Sequence, residues 1–451
     1  MILSRYIDHY KANLRLALPI ALSQLGYIVV QFADNAMVGS YGGNDPLPLS
    51  AVSFGAMMSF VMFSLSMGIC LGMTPIVGEH FARGEYRRTA HYLQSSLVAF
   101  PLLGLLLMAL QLLSIPLLYH LGQPVEVVDM AVPYYRLMAY SLPAIMLYGS
   151  FRQFLEGIGN TVSPMVMALV TNVVNIILNW IFIYGNCGCE AMGVYGAGLA
   201  TLIARWMLPV LAILYFAIKP KYRDYLKLFS RGVNYLKDSW RLLSIGVPLA
   251  GQMLLEGSAF IVTSIMMGWF GAEALAANQV ALTYGNATFM LTIALGSAAT
   301  IRVSHCYGLK DHKQMRDVIV SSTHLSALWG VIVFVLFIVL RDTLPRVFTP
   351  SSDIIAQASV MMIWVGMYQI SDAVQGTLIG VLRGVQDVKI IAALSFVAYI
   401  VLNIPVGYLC AFTFGFGSTS LLVGYVVGLT TAAVAYGIRV YRNLNREKIV
   451  A

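Results

Sequence analysis

The sequence predicts an all-α polytopic membrane protein, with twelve transmembrane helices in two pseudo-symmetric six-helix lobes. Three observations carry that prediction. Of the 451 residues, 59% are apolar and 11% charged, whereas a soluble domain carries roughly 25% charged residues. The apolar residues fall in long runs, not in the period-two alternation of a barrel; Val331 to Leu340 is continuously apolar, as a lipid-facing helix is. The second half of the chain also repeats motifs of the first. Composition therefore excludes a soluble enzyme, a secreted disulfide scaffold and a disordered chain.

A crossing needs about 20 apolar residues. Runs that meet this are read at 14–38, 47–77, 91–115, 131–155, 162–185, 191–217, 241–269, 275–303, 318–340, 356–382, 388–412 and 419–441. Most are longer than the bilayer requires, so tilt or bending is expected. The first is too long for a cleavable leader and lacks a small-residue cleavage site, so it is expected to remain as a span; it holds Pro19. The second holds Gly68-xxx-Gly72, which permits close helix approach, as does Gly424-xxx-Gly428 in the twelfth. The fourth ends on Arg152 and Glu156, an i,i+4 pair. The fifth carries Asn172, Asn175 and Asn179, and the sixth carries Arg205 near its middle. A basic linker follows at 218–240. The seventh span holds Pro248 and Glu256, and the tenth Tyr368 and Asp372. Pro19 and Pro248 each remove a backbone hydrogen bond inside a helix, so a bend and a candidate hinge are expected at both.

Charge sets the expected orientation. Of 28 Lys and Arg, 24 fall at one set of span ends, including Arg83, Arg87 and Arg88, the linker from Lys219 to Arg241, and the tail from Arg439 to Lys448. The segments around Asp45, Glu126 and Glu190 have acids and almost no bases. The positive-inside rule then puts both termini in the cytoplasm. The net charge of +8 thus reports topology, and no nucleic-acid partner is expected. Five Cys are present; Cys187 and Cys189 are too closely spaced for an unstrained disulfide, and two thiolates make an incomplete metal site. Asn286-Ala-Thr288 matches a glycosylation pattern but lies inside a span.

The internal repeat has a shift of 229: Leu16-Ala-Leu-Pro19-Ile-Ala answers Ile245-Gly-Val-Pro248-Leu-Ala, and Gly39-Ser-Tyr-Gly42 answers Gly268-Trp-Phe-Gly271. An even number of spans separates the copies, so they run in the same membrane sense. Internal repeats of this kind mark transporters. The expected organisation is an N-terminal lobe at 1–217, the linker at 218–240 and a C-terminal lobe at 241–451, with a ligand cleft between the lobes.

Carboxylates at membrane depth are costly and functional by default; Asp34, Glu256 and Asp372 are the three. At about 100° per residue, Gln24, Tyr27, Gln31 and Asp34 share an arc of about 80°. Gln252, Glu256 and Thr263 share a face of the seventh span, and Tyr368, Asp372 and Gln375 one of the tenth. The alternative, that these acids merely glue helices together, needs basic partners at the same depth. Arg205 is one such base against three acids, and it is expected to be structural. Carboxylates with side-chain oxygens can replace the hydration shell of Na⁺, and a carboxyl group can equally carry a proton; both schemes use the same residues.

These residues resemble the multidrug and toxic compound extrusion (MATE) family, its NorM-like branch in particular, over nearly the whole chain. The specific stretches are Leu18-Pro19 with Gln31-Phe-Ala-Asp34-Asn-Ala-Met-Val-Gly39, Gly246-Val-Pro248 with Glu256, Leu275-Ala-Ala-Asn278-Gln279, and Tyr368 to Asp372 with Leu382-Arg383-Gly384. The resemblance implies an antiporter of the prokaryotic inner membrane, not an enzyme. It would export cationic, amphipathic drugs or dyes by alternating access, driven by inward Na⁺ or H⁺. It implies a cation site of Glu256, Asp372 and Tyr368, with Na⁺ as the metal candidate at the two acids. It implies a second site of Asp34 with Asn175, Asn179 and Thr201, and a helix bend at Pro19. Substrate contacts are expected at Gln279, Tyr27, Gln31 and Asn278. Asn278 departs from the many relatives with His before the Gln, so this position carries no titratable group. No cofactor beyond the coupling ion is expected, and the partners are the drug and membrane lipid around a monomer. Two other readings stay open: a lipid-linked saccharide flippase on the same superfamily fold, and a membrane-embedded enzyme. The flippase would want a basic cleft. The enzyme would want a nucleophile–base pair or HExxH motif, and none is visible.

Overall fold

Each of the twelve apolar runs falls on a helix, to within two residues, in the computed structural model, which describes residues 2–43, 45–230 and 233–450. They are α1 (Ile2–Gly42), α2 (Leu47–Ala82), α3 (Tyr86–Leu113), α4 (Val125–Gly157), α5 (Val162–Tyr184), α6 (Gly193–Ile218), α7 (Tyr235–Gly268), α8 (Ala272–Leu309), α9 (His312–Leu340), α10 (Ser352–Gly384), α11 (Lys389–Thr413) and α12 (Ser418–Asn445). No strand occurs among the described residues. Of the bases used for orientation, Arg231 lies outside the described residues, as do the side chains of Arg5, Arg446 and Lys448.

Most helices overrun the runs that predict them at one end or both. α1 has 41 residues, about 60 Å at 1.5 Å per residue, against a hydrocarbon slab of about 30 Å. Hydropathy reads the slab; the helix continues into polar turns because its backbone hydrogen bonds do not need lipid. Among the described residues, eleven helices are long and apolar enough to cross a membrane. The other, α4, has 33 residues, but Pro133, Tyr134, Tyr135 and Arg136 dilute its apolar run. It packs against α2, α3 and α6 and is buried along most of its length. A helix covered by protein needs no lipid-facing stripe. Six helices later, α10 takes the same central place, against α8, α9 and α12.

By packing, the chain forms two compact units: Leu22–Ala250, and the chain up to Ala21 together with Gly251–Ala451. Both divisions lie two residues past a helix proline, Pro19 in α1 and Pro248 in α7. The repeat-based lobes meet at the linker, whereas packing assigns the first part of each proline helix to the other repeat's unit.

In Leu22–Ala250, α7 begins on α2 and α3. A Cβ on Gly72 would sit 2.6 Å from Gly246 N, and one on Gly68 2.3 Å from Ala250 Cα. Gln94 Nε2 donates to Tyr235 Oη at 2.6 Å. A short linker helix, Pro220–Lys227, seats Tyr222 and Tyr225 against Phe216 and Phe154 and leaves Lys221 and Arg223 exposed.

In the other unit the start of α1 lies on α8 and α9. Arg302 Nη1 donates to Asn13 Oδ1 at 2.6 Å and to His9 O at 2.9 Å, and Asn13 Nδ2 donates to Ser322 Oγ at 3.0 Å. Ala17, Ile20 and Ala21 pack on Ala294, Leu295, Ala298 and Ile301. α11 is irregular, with π-helical turns at Phe396–Asn403 and Leu409–Thr413. Pro405 removes one donor from the ladder, and the α12 backbone crosses very close: a Cβ on Gly424 would meet Asn403 O at 2.2 Å. The widened turn, of a kind that often marks functional sites, accommodates both.

Candidate functional site

Each unit contains one of the acidic clusters expected from sequence. In Leu22–Ala250, α1 presents Tyr27, Gln31 and Asp34 at i, i+4 and i+7, one helical face. The asparagine stripe of α5 meets that face. Asn179 Nδ2 donates to the Asp34 carboxylate, and also to Asn175 Oδ1 at 3.2 Å. Asn175 Nδ2 is 3.4 Å from Thr201 Oγ1. With its amide turned, Asn175 instead donates to Asp34 Oδ1 at 3.2 Å and accepts from Thr201 N at 3.3 Å. Asp34, Asn175, Asn179 and Thr201 are thus brought together. The third asparagine is not part of the cluster; Asn172 packs on Gly26, its Nδ2 lying 2.6 Å from where a Cβ would be. Gln31 Nε2 donates to Tyr27 Oη at 3.2 Å, and the Tyr27 ring stacks on Phe63.

In the second unit, Gln252 Nε2 donates to Glu256 Oε2 at 2.8 Å, one turn along α7. Tyr399, from the π-helical turn of α11, lies within electrostatic reach of Glu256. Tyr399 Oη accepts from Gln375 Nε2 at 2.8 Å and donates to Gln375 Oε1 at 3.2 Å. Asp372 is buried, 6% exposed, and lies within electrostatic reach of Glu256. Tyr368 lines the same core with Tyr399 and Tyr425, its ring 5.6 Å from that of Tyr425. Among the described residues none of Asp34, Glu256 and Asp372 has an ion-pair partner. The Tyr425 hydroxyl and both amide atoms of Asn403 are buried without a hydrogen-bond partner in the described residues. An unpaired phenol oxygen within electrostatic reach of Glu256 suits an alkali cation with residual water. A transition-metal centre has no support: no group of three or more His, Cys, Asp and Glu is placed to hold one among the described residues.

The expected substrate contacts are spread over both units. Tyr27 and Gln31 touch each other. Gln279 is exposed on α8, whereas its neighbour Asn278 is fully buried, with both amide atoms unpaired among the described residues. Sequence reasoning missed Tyr399, Asn403 and Tyr425. A faint signal existed, since Asn403 and Tyr399 lie one turn apart on one face of an apolar span.

The architecture defines a polytopic helical membrane protein with a duplicated six-helix fold. The MatE family model matches it twice, at residues 19–181 and 248–409, and the chain belongs to that family. The two matches begin at Pro19 and Pro248, the register of the internal repeat. The chain is 26% identical over 450 residues to the multidrug resistance protein NorM of Vibrio vulnificus strain YJ016, covering 97% of this chain and 96% of that protein. It is 29% identical over 462 residues to the multidrug resistance protein MdtK of Edwardsiella ictaluri strain 93-146, covering 99% and 98%. Among solved structures, it is similar to the eukaryotic MATE transporter AtDTX14 (TM-score 0.86, 20% identity, 98% of each chain). It is also similar to the bent form of the Vibrio cholerae MATE transporter VcmN (TM-score 0.88, 19% identity, 98% of each chain). At these identities the structures speak for the fold.

Proposed function

We propose that this protein is a multidrug efflux transporter of the bacterial inner membrane, a monomer with both termini in the cytoplasm. It exchanges cationic amphipathic compounds for Na⁺ or H⁺ by alternating access. The observation that carries the reading is the pair Glu256 and Asp372, two carboxylates at membrane depth with neutral hydrogen-bonding neighbours and no ion-pair partner among the described residues. A site with two negative charges and no internal base has a standing need for a cation. The names of the relatives support drugs as the cargo.

Coupling follows from differential affinity. A ligand shifts a conformational equilibrium only as far as it binds one state better than the other. The cation on Glu256 and Asp372, with Tyr368 beside them, favours one arrangement of the protein; the drug favours the other. Asp34, with Asn175, Asn179 and Thr201, provides the matching site in the first repeat. Tyr27, Gln31, Asn278 and Gln279 are the substrate candidates. Pro19 and Pro248 are the hinges, and the change of packing unit two residues past each proline supports that role. No catalytic step is assigned.

The test uses purified protein in liposomes, with ethidium transport followed under separately imposed Na⁺ and H⁺ gradients. Loss of a hydrogen bond to a charged group is worth about 1.5–3 kcal/mol, so Glu256→Gln and Asp372→Asn should each lower gradient-driven transport by about tenfold or more. Asp34→Asn should do likewise. Undiminished gradient-driven transport in Glu256→Gln and Asp372→Asn would sink the second-repeat coupling site. No ethidium movement in the wild-type protein under either gradient would count against drug export.

A further inference from the structure

The coupling scheme leaves one membrane-depth charge unused. Arg205 lies near the middle of α6 and is half-buried. A guanidinium there is costly and marks function by default. Its Nη1 donates to Ser141 Oγ at 2.8 Å and to Met138 Sδ at 3.5 Å, both neutral acceptors. Its Cζ stands 5.5 Å over the Phe63 ring, and Phe63 stacks on Tyr27 with centroids 6.0 Å apart and planes 2° from parallel. Among the described residues Arg205 has no ion-pair partner. Asp34 is within electrostatic reach, yet its hydrogen bonds come from asparagine amides. A structural role as counter-ion to Asp34 would call for direct contact. Instead, α6 carries Thr201 of the Asp34 cluster one turn, about 6 Å along the helix, from Arg205. Acid and base are thus held apart beside a pair of stacked rings.

We propose that Arg205 is a specificity-determining residue that binds the carboxylate of a zwitterionic aromatic amphiphile. The cationic end of that ligand faces Asp34, and its ring lies against Tyr27 and Phe63. The guanidinium fork matches a carboxylate in two parallel hydrogen bonds, and the Phe63 face holds the guanidinium plane ready. The proposal rests on the export reading above and narrows its substrate class.

The experiment compares a rhodamine free acid with its methyl ester, dyes that differ in one carboxylate. Both are measured with purified protein, for transport in proteoliposomes and for equilibrium binding by fluorescence anisotropy. Arg205→Gln is expected to raise the acid-to-ester ratio of KM and of Kd about tenfold, with the acid-to-ester ratio of kcat unmoved. Arg205→Lys keeps the charge without the fork and should restore part of that ratio. Equal weakening of both dyes, or an unmoved ratio, overturns the proposal. If Arg205→Gln does not fold, Arg205→Lys decides: a severalfold rise in the ratio supports it and no rise overturns it. If the wild type pumps neither dye, the export reading fails while the binding ratio still decides on Arg205.

Discussion

Glu256 accepts from the Gln252 amide and lies within electrostatic reach of the Tyr399 phenol, and the phenol is the sharper probe of the site. Tyr399→Phe removes a hydroxyl within electrostatic reach of Glu256 and Asp372 and leaves Gln375 Nε2 without its acceptor. Leaving such a buried donor unpaired costs about 1–3 kcal/mol. A severalfold higher KM for the coupling cation is expected, read from cation titrations of transport, together with a lower Tm; an unmoved KM would count against Tyr399 as part of the site. The acids were legible in the sequence because an ionised group in lipid stands out against everything around it. So was the Asn175–Asn179 stripe, through its four-residue spacing. Tyr399, Asn403 and Tyr425 were not, because an aromatic or an amide in an apolar run has the composition of ordinary packing. What distinguishes Asn403 is a buried amide with no hydrogen-bond partner among the described residues, a property of its surroundings.

Glycines decide how close the elements come. A Cβ on Gly380 of α10 would sit 2.1 Å from Gly296 O of α8, and backbone cannot step aside as a flexible side chain can. Gly380→Val should therefore destabilise the unit by overpacking, about 1–3 kcal/mol, measured as a lower Tm in detergent. Gly437→Ala, whose Cβ would meet Leu378 Cδ1 at 3.9 Å, should be neutral or slightly stabilising, since Ala is the better helix former by about 1 kcal/mol. Equal Tm values for the two variants would remove the distinction. Gly68-xxx-Gly72 and Gly424-xxx-Gly428 announce close packing by their spacing, and both pack closely. Gly380 has the same spacing, in Gly376-xxx-Gly380-xxx-Gly384, but that Gly296 of α8 is the residue it meets is set by the tertiary packing. The same holds for the π-helical turns of α11. Pro405 is visible in sequence; the α12 backbone pressing on Asn403 is not.

For the whole molecule, the distribution of bases implies that the α5–α6 loop faces outward and the linker helix inward. Cys187 is exposed in that loop, while Cys70 and Cys306 are buried, so the native thiols already provide a probe. An impermeant maleimide should label Cys187 in right-side-out vesicles. With Cys187 and Cys189 changed to Ser, Arg223→Cys should be labelled in inside-out vesicles. The reverse pattern would overturn the orientation. The twelve helices and the repeat were readable at this scale because hydropathy follows lipid thickness and the duplication persists in the register of Pro19 and Pro248, where the two family matches also begin.

Sequence alone determined the membrane class, the number of helices, the duplicated fold and the acidic residues. Each follows from a cost paid locally, when a given side chain meets lipid or water. Tertiary structure decided that α4 and α10 are the protein-covered hubs, that packing changes partners just past each helix proline, and that Tyr399 meets Gln375 from a widened turn. It also decided that Arg205 stands over Phe63 without an acid in contact. These depend on which distant helices touch and how closely their backbones approach, and no local pattern along the chain encodes that.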